Sequence, residues 1–232
     1  MKRRVMAYML TVLALALAAG RPAGAQDVQE KAAAAKQAAA QNQQALLSYS
    51  WLSKTEISLK GEVKNTKVEQ CRYGPDGKVQ KTQVSEPPPP QEKKRGLKGK
   101  VIEKKTGEMK EDMETAVALV HQYLPPAPDK IQAAMAAGKI TMTPGAGANA
   151  LRIADYVKAG DALVLTLDAG GKGMKKIDVD TWKDSPADKV TLDVQMQSLP
   201  DGTSYAGMVV LAIPSSNIQV RITNSNYQKL AQ

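Results

Sequence analysis

"KVTLDVQMQSLPDGTSY", residues 189–205, decides the fold. Val190, Leu192, Val194 and Met196 alternate with Thr191, Asp193, Gln195 and Gln197. A period of two sends successive side chains to opposite faces, so this is a strand with one oily side and one wet side. "LPDG" then turns the chain, and residues 203–213 return as a further strand. The oily side covers either a packed core or a pocket.

The same pattern extends in both directions. Segments 151–157, 162–168, 174–182 and 217–224 are also strand-like, with "DAGGKG" as another turn. Ile218, Val220 and Ile222 oppose Gln219, Arg221 and Thr223. Sequential hairpins of this kind make an antiparallel sheet with one face on apolar material and one in water. Upstream, "YSWLSKTEISLKGEV" (49–63) puts Tyr49, Trp51, Ile57, Leu59 and Val63 on one face. A second strand near 66–73, the turn "GPDGK" (74–78) and a third strand at 78–85 follow. "EPPPP" (86–90) then stops the sheet, because proline cannot donate to a ladder. Residues 86–105, Pro-rich and then basic, read as a mobile loop.

Helices occupy the remainder. Residues 28–47, rich in Ala, Gln and Lys, favour a surface helix. Thr106 is a plausible N-cap for a second helix whose Met109, Met113, Val117, Val120 and Leu124 form one apolar stripe. Pro125, Pro126 and Pro128 end it; a shorter helix follows with Asp129 in its first turn, Ile131 and Met135 on one side and Gly138 as C-cap. The predicted fold is α+β: a strongly curved antiparallel sheet, a half-barrel-like meander, with an N-terminal helix and a mid-chain helical pair covering one face.

The chain opens with an export signal. Lys2, Arg3 and Arg4 precede an apolar run from Val5 to Ala19, and Ala23-Gly24-Ala25 gives a small-x-small cleavage site. The run is shorter than the roughly 20 residues of a spanning helix. Cleavage after Ala25 is expected, leaving 26–232 as one periplasmic domain. Lys2, Arg3, Arg4 and Arg21 leave with the signal, so the formal charge falls from +9 to +5. Residues 91–105 hold seven basic and two acidic residues, which accounts for that excess. Lys93, Lys94, Arg95 and Lys98 are therefore the candidate anion-binding cluster, suited to an anionic membrane surface or an envelope protein. Nucleic acid is not an expected partner, since this segment lacks stacking aromatics.

No catalytic set emerges. His121 is the only histidine and Cys71 the only cysteine. A nucleophile–histidine pair has no supporting spacing around His121, and zinc would need more ligands. Cys71 reads as a small buried hydrophobe. Asp178, Asp180, Asp184 and Asp188 read as a solvated strand face and turn aspartates, because the EF-hand pattern fails at Trp182. Glycine runs at 145–150 and 169–173 lack the strand–loop–helix setting of a phosphate site. No cofactor, metal or enzymatic activity is expected.

"CRYGPDGK" (71–78) and "LPDGTSY" (199–205), with the order helix, strands, helical pair and meander, resemble the periplasmic lipoprotein-sorting and lipoprotein-sensing family (LolA/RseB-like). That family binds acyl chains against the inner face of a half-open barrel. The resemblance implies an inner face lined by Trp51, Ile57, Leu59, Val190, Leu192, Val194, Met196, Ile218, Val220 and Ile222. It implies a lid whose underside carries Met109, Met113, Val117 and Val120, and places Arg72 at the rim near an anionic head group. This sequence departs from the family's pattern in its polar third strand and in having no Phe. The expected function is a non-enzymatic binding or carrier module for a lipid or acylated molecule. The alternative is an envelope interaction protein with a solid core, acting through the basic segment.

Overall fold

The computed structural model describes residues 37–84, 97–169 and 173–230. The expected signal peptide, residues 28–36 of the expected first helix and residues 85–96 of the expected loop lie outside them. Helix α1 runs through residues 37–47. Three strands follow: β1 (Tyr49–Leu59), β2 (Glu62–Tyr73) and β3 (Val79–Gln83). Helices α2 (Leu97–Val120) and α3 (Pro128–Ala136) come next. The rest is a meander: β4 (Ile140–Gly145), β5 (Ala148–Ala154), β6 (Ala162–Asp168), β7 (Met174–Trp182), β8 (Lys189–Ser198), β9 (Ser204–Ile213) and β10 (Ile218–Lys229).

All ten strands form one antiparallel sheet in the order β3-β2-β1-β10-β9-β8-β7-β6-β5-β4. The sheet is curved but does not close into a barrel. Its edges, β3 and β4, are consecutive strands in the chain, so the connection between them crosses from one edge to the other. That connection carries α2 and α3, which lie over the face they cross. Ala116, Val120, Tyr123, Ile131 and Ala134 pack there with Leu163, Leu165, Ile177, Val179, Val190, Leu192, Ile213 and Ile218 in one buried cluster.

Most strands match the alternation in the sequence, and β6 and β7 match it end to end. Four local features differ from expectation. First, the chain turns inside "SLKGEV". Leu59 pairs with Glu62 around Lys60 and Gly61, whose φ values are 54° and 80°. Two consecutive positive φ angles are the mark of a type I′ hairpin. The turn reverses the parity, so Val63 pairs with Ser58 and stands 54% exposed rather than joining the apolar face. Second, α2 begins at Leu97, nine residues before the expected cap at Thr106, so 97–105 are helix rather than loop. Lys, Glu, Val and Ile sustain it, and Gly99 is tolerated. Third, β4 pairs with β5 before the first predicted strand of the meander. Pro144 obscures this edge strand, where a missing N–H costs no ladder bond. Fourth, β10 continues to Lys229 past the expected end at 224.

Polar groups fix the helices to the sheet. The hydroxyl of Tyr123, a fully buried residue, donates to Asp161 and lies 2.8 Å from Thr181 Oγ1. Asp161 also accepts the backbone N–H groups of Tyr156 (2.6 Å), Val157 (3.1 Å) and Lys158 (2.8 Å). Farther along α2, Asp112 accepts from Lys183 and Ser216. Asp178 and Asp193 share Lys176, and Asp188 faces Ser185, so these acids are engaged locally. Among the described residues no cluster of metal-binding side chains forms, and no helix is long and apolar enough to cross a membrane.

The buried network yields a stability prediction. Tyr123→Phe removes one partner from Asp161 and Thr181, at about 1–2 kcal/mol. Asp161→Ala strands three amides and the phenol, and is expected to cost more, about 3 kcal/mol. Urea unfolding of both variants gives the order; equal costs would mean that the loop amides find other partners.

Candidate functional site

The concave face is not evenly filled. Between α1 and the β1, β2, β8, β9 and β10 strands lies a cavity of about 200 Å³. Leu192, Val194, Met196, Val209 and Ile222 form an aliphatic wall, with Leu46 of α1 and Leu124 across from it. Trp51, Tyr73, Tyr205 and Tyr227 form an aromatic wall. Ser53, Cys71, Val79 and Lys81 continue toward the β3 edge.

The aromatic wall is one connected group. The rings of Trp51 and Tyr227 stack with centroids 5.5 Å apart and planes at 9°. Tyr73 lies 5.2 Å from Trp51, and Tyr205 lies 4.2 Å from Tyr227. Tyr49 meets the edge of Tyr227 at 6.3 Å. Of the seven Tyr and two Trp in the chain, five gather here. Offset and edge-on aromatic pairs gain roughly 0.5–1.5 kcal/mol each beyond area burial.

A bulge brings Tyr227 into this group. Val220, Ile222 and Asn224 of β10 oppose Ile57, Thr55 and Ser53, so even-numbered residues face inward. Between Ser225 and Gln228 the register slips by one, where Asn226 takes φ 54°. One extra residue reverses the parity, and the odd-numbered Tyr227 points in beside Trp51. Asn can occupy this left-handed conformation at modest cost.

Helix α1 is held over the cavity by a reciprocal pair. Asn42 Nδ2 donates to the carbonyl of Ser204 at 2.9 Å, and Ser204 N–H donates back to Asn42 Oδ1 at 2.6 Å. Below it, Tyr49 donates to Asp201 at 2.6 Å. That hydrogen bond and those from Thr203 hold the Asp201 carboxyl below the usual range.

The polar groups at and beside the cavity divide into two kinds. Glu69, beside the lining and 7% exposed, forms ion pairs with Lys67 at 2.6 Å and Lys81 at 3.7 Å. Ser53 and Trp51, only 4% and 6% exposed, line the cavity, and neither side chain makes a hydrogen bond among the described residues. Burial raises the Cys71 thiol, which sits across the ladder from both Trp51 and Lys81. Burial also raises the phenols of Tyr73 and Tyr227.

Of the residues expected on the inner face, Trp51, Leu192, Val194, Met196 and Ile222 meet at this cavity. Val190, Ile218 and Val120 are buried in the filled core, and Leu59, Val220, Met109, Met113 and Val117 pack against it. Ile57 is half-buried on β1. Thus the methionine face of α2 fills the sheet, while α1 and Leu124 roof the cavity. Arg72 lies on the opposite face of β2 from Cys71, where its Nε donates to Gln80 at 3.1 Å beside a separate shallow cleft with Leu47 and Pro75. Lys93, Lys94 and Arg95 lie outside the described residues, and Lys98 falls in the first turn of α2. His121 is exposed at the end of α2. Sequence reading missed Leu46, Ser53, Tyr73, Lys81, Tyr205 and Tyr227. Tyr73 and Tyr205 stand inside the two quoted turn motifs, which was a usable signal.

No protein-family model and no curated protein matches the chain. Solved structures do. A DUF1329 family protein from Desulfovibrio piger is 11% identical, with a TM-score of 0.36 over 82% of this chain and 89% of that one. A LolA superfamily protein from Nitrosomonas europaea is 8% identical, with a TM-score of 0.37 over 81% of this chain and 88% of that one. A candidate outer membrane lipoprotein-sorting domain from Vibrio parahaemolyticus is 12% identical, with a TM-score of 0.34 over 83% and 91%. The last two carry the names to which the sequence resemblance points.

The aromatic wall makes stability sensitive to alkali. Burial, and secondarily Cys71, pushes the Tyr73 phenol from 10.0 up to about 12. The native state therefore holds this proton more tightly than the unfolded chain. Its contribution is complete below pH 10 and is lost as pH rises through 12. In Tyr73→Phe, the fall in unfolding free energy across that window is expected to be shallower, by about 3 kcal/mol at most. Denaturant titrations at stepped alkaline pH check this; an unchanged slope would mean that Tyr73 ionises freely in the folded protein.

Proposed function

We propose that this protein is a non-enzymatic binding or carrier module of the bacterial periplasm for a lipid or acylated molecule. The observation that carries the reading is the cavity: a space of about 200 Å³ with aliphatic and aromatic walls, left open on the concave face. Aliphatic residues on one side and broad ring faces on the other suit a flexible methylene chain. Each buried methylene contributes roughly 0.8 kcal/mol, so roughly six give about 5 kcal/mol before the costs of association. Ligand pockets are usually about 300–1,000 Å³. This smaller space favours part of one chain over a multi-chain anchor, unless α1 shifts outward.

A second reading has its own support. Most of the concave face is solid, packed by α2 and α3. A protein of that kind would act through its surface, with Lys93, Lys94, Arg95 and Lys98 meeting an anionic membrane surface or an envelope protein.

Native mass spectrometry of the mature protein separates the two. The carrier reading expects fatty-acid adducts on the wild type. It expects about tenfold less uptake in Met196→Trp, whose added volume fills the cavity, at an unchanged melting temperature. A clean apo mass that takes up no fatty acid removes the carrier reading.

A further inference from the structure

We infer that the cavity takes a single-chain acidic amphiphile, its carboxylate held by Lys81 and Ser53 and its tail lying along Leu192, Val194 and Met196. The inference rests on the apolar-chain reading of this cavity and adds the chemistry of the ligand's head.

The unpaired lining groups point to an acceptor. Ser53 and Trp51 are more than nine-tenths buried, and neither side chain has a hydrogen-bond partner among the described residues. These polar atoms are not sealed off: among the described residues the buried side-chain polar atom without a partner is Asp193 Oδ1 on β8, so Ser53 Oγ and Trp51 Nε1 keep access to the cavity. The indole N–H can only donate and the hydroxyl can donate or accept, so an accepting group on a ligand suits both.

The charge balance makes that acceptor anionic. Two ammonium groups, Lys67 and Lys81, share the single carboxylate of Glu69. Lys67 holds it at 2.6 Å, while Lys81 stands off at 3.7 Å. Lys81, directly across the ladder from Cys71, is the only cation among the lining residues described. It sits on the edge strand β3, where an amphiphile's head keeps contact with water while its tail enters the sheet. A neutral alcohol would leave Lys81 with only its share of Glu69, at 3.7 Å. A two-chain phospholipid would exceed the space.

Calorimetric titration of the mature chain with decanoate and with decanol, at neutral pH, tests this. Decanoate is expected to bind roughly tenfold or more tightly than decanol, the margin of a charge-assisted hydrogen bond. Lys81→Gln is expected to remove that margin and leave decanol binding unchanged, which also reports on folding. Ser53→Ala should remove part of the margin. Glu69→Gln, which deletes the competing carboxylate, should tighten decanoate alone. Equal affinities in the wild type, or a margin that survives Lys81→Gln, overturns the acidic-head inference and leaves the chain site standing. Binding of neither ligand overturns both.

Discussion

The ladder between β1 and β10 sets the rest of the structure. It joins the N-terminal strands to the C-terminal meander, so that Trp51, Ser53 and Ile57 lie beside Tyr227, Asn224 and Val220. Because first and last strands meet in the middle, the sheet's free edges fall to β3 and β4, neighbours in sequence. The segment linking them must then span the sheet, and burial of apolar surface presses its helices onto the concave face. Without this one pairing, two smaller sheets would remain. The β1–β3 unit would lack the packed face that a three-stranded sheet needs for stability.

A spanning connection does not cover a wide sheet uniformly. Helices α2 and α3 pack onto the strands of the meander, where Ala116 and Ala134 are buried in one cluster with Leu163 and Ile177. The β1–β2–β10 end is left to α1, which buries Leu46. Large rings occupy that end, and their flat faces leave space that branched aliphatic side chains would have closed. Absence of Phe thus says little about the cavity: tyrosine provides the rings, and the Tyr205 hydroxyl donates to Gln197.

The sequence made the sheet legible because alternation and turn chemistry agree along most of it. Residues 189–197 show the period without interruption, residues 174–182 keep it apart from one bulge beside Lys175, and the hairpin turns carry Asp, Gly or Pro. Legibility failed where one residue changes the parity. Lys60 is an unusual first residue for a type I′ turn, so "SLKGEV" read as continuous strand and Val63 was assigned inward. Asn226 reverses parity inside a polar stretch, so nothing local marked Tyr227 as an inner residue. The expected lid failed differently. The stripe on α2 was correctly apolar, but periodicity tells which face is buried, not whether that face meets a core or a cavity. Lys81 was hidden because an exposed lysine on a polar strand looks the same with or without a neighbouring cavity.

Buried polar groups treat the two ends of the concave face differently. In the filled half, Asp161 gathers a phenol and three amides, and Thr181 shares the same phenol. A packed interior tolerates such groups only when their partners are present. In the open half, Ser53 and Trp51 have no hydrogen-bonding partner among the described residues, and their polar atoms open onto the cavity. Valine or leucine at position 53 would bury more apolar surface without a polar penalty, so stability alone does not account for serine there. The contrast lies within one sheet, over a few strands, and coincides with the boundary between core and cavity. Where α2 and α3 cover the sheet, Asp161 and Thr181 are paired; at the cavity Ser53 and Trp51 face open space, which suits a molecule that can accept their hydrogen bonds.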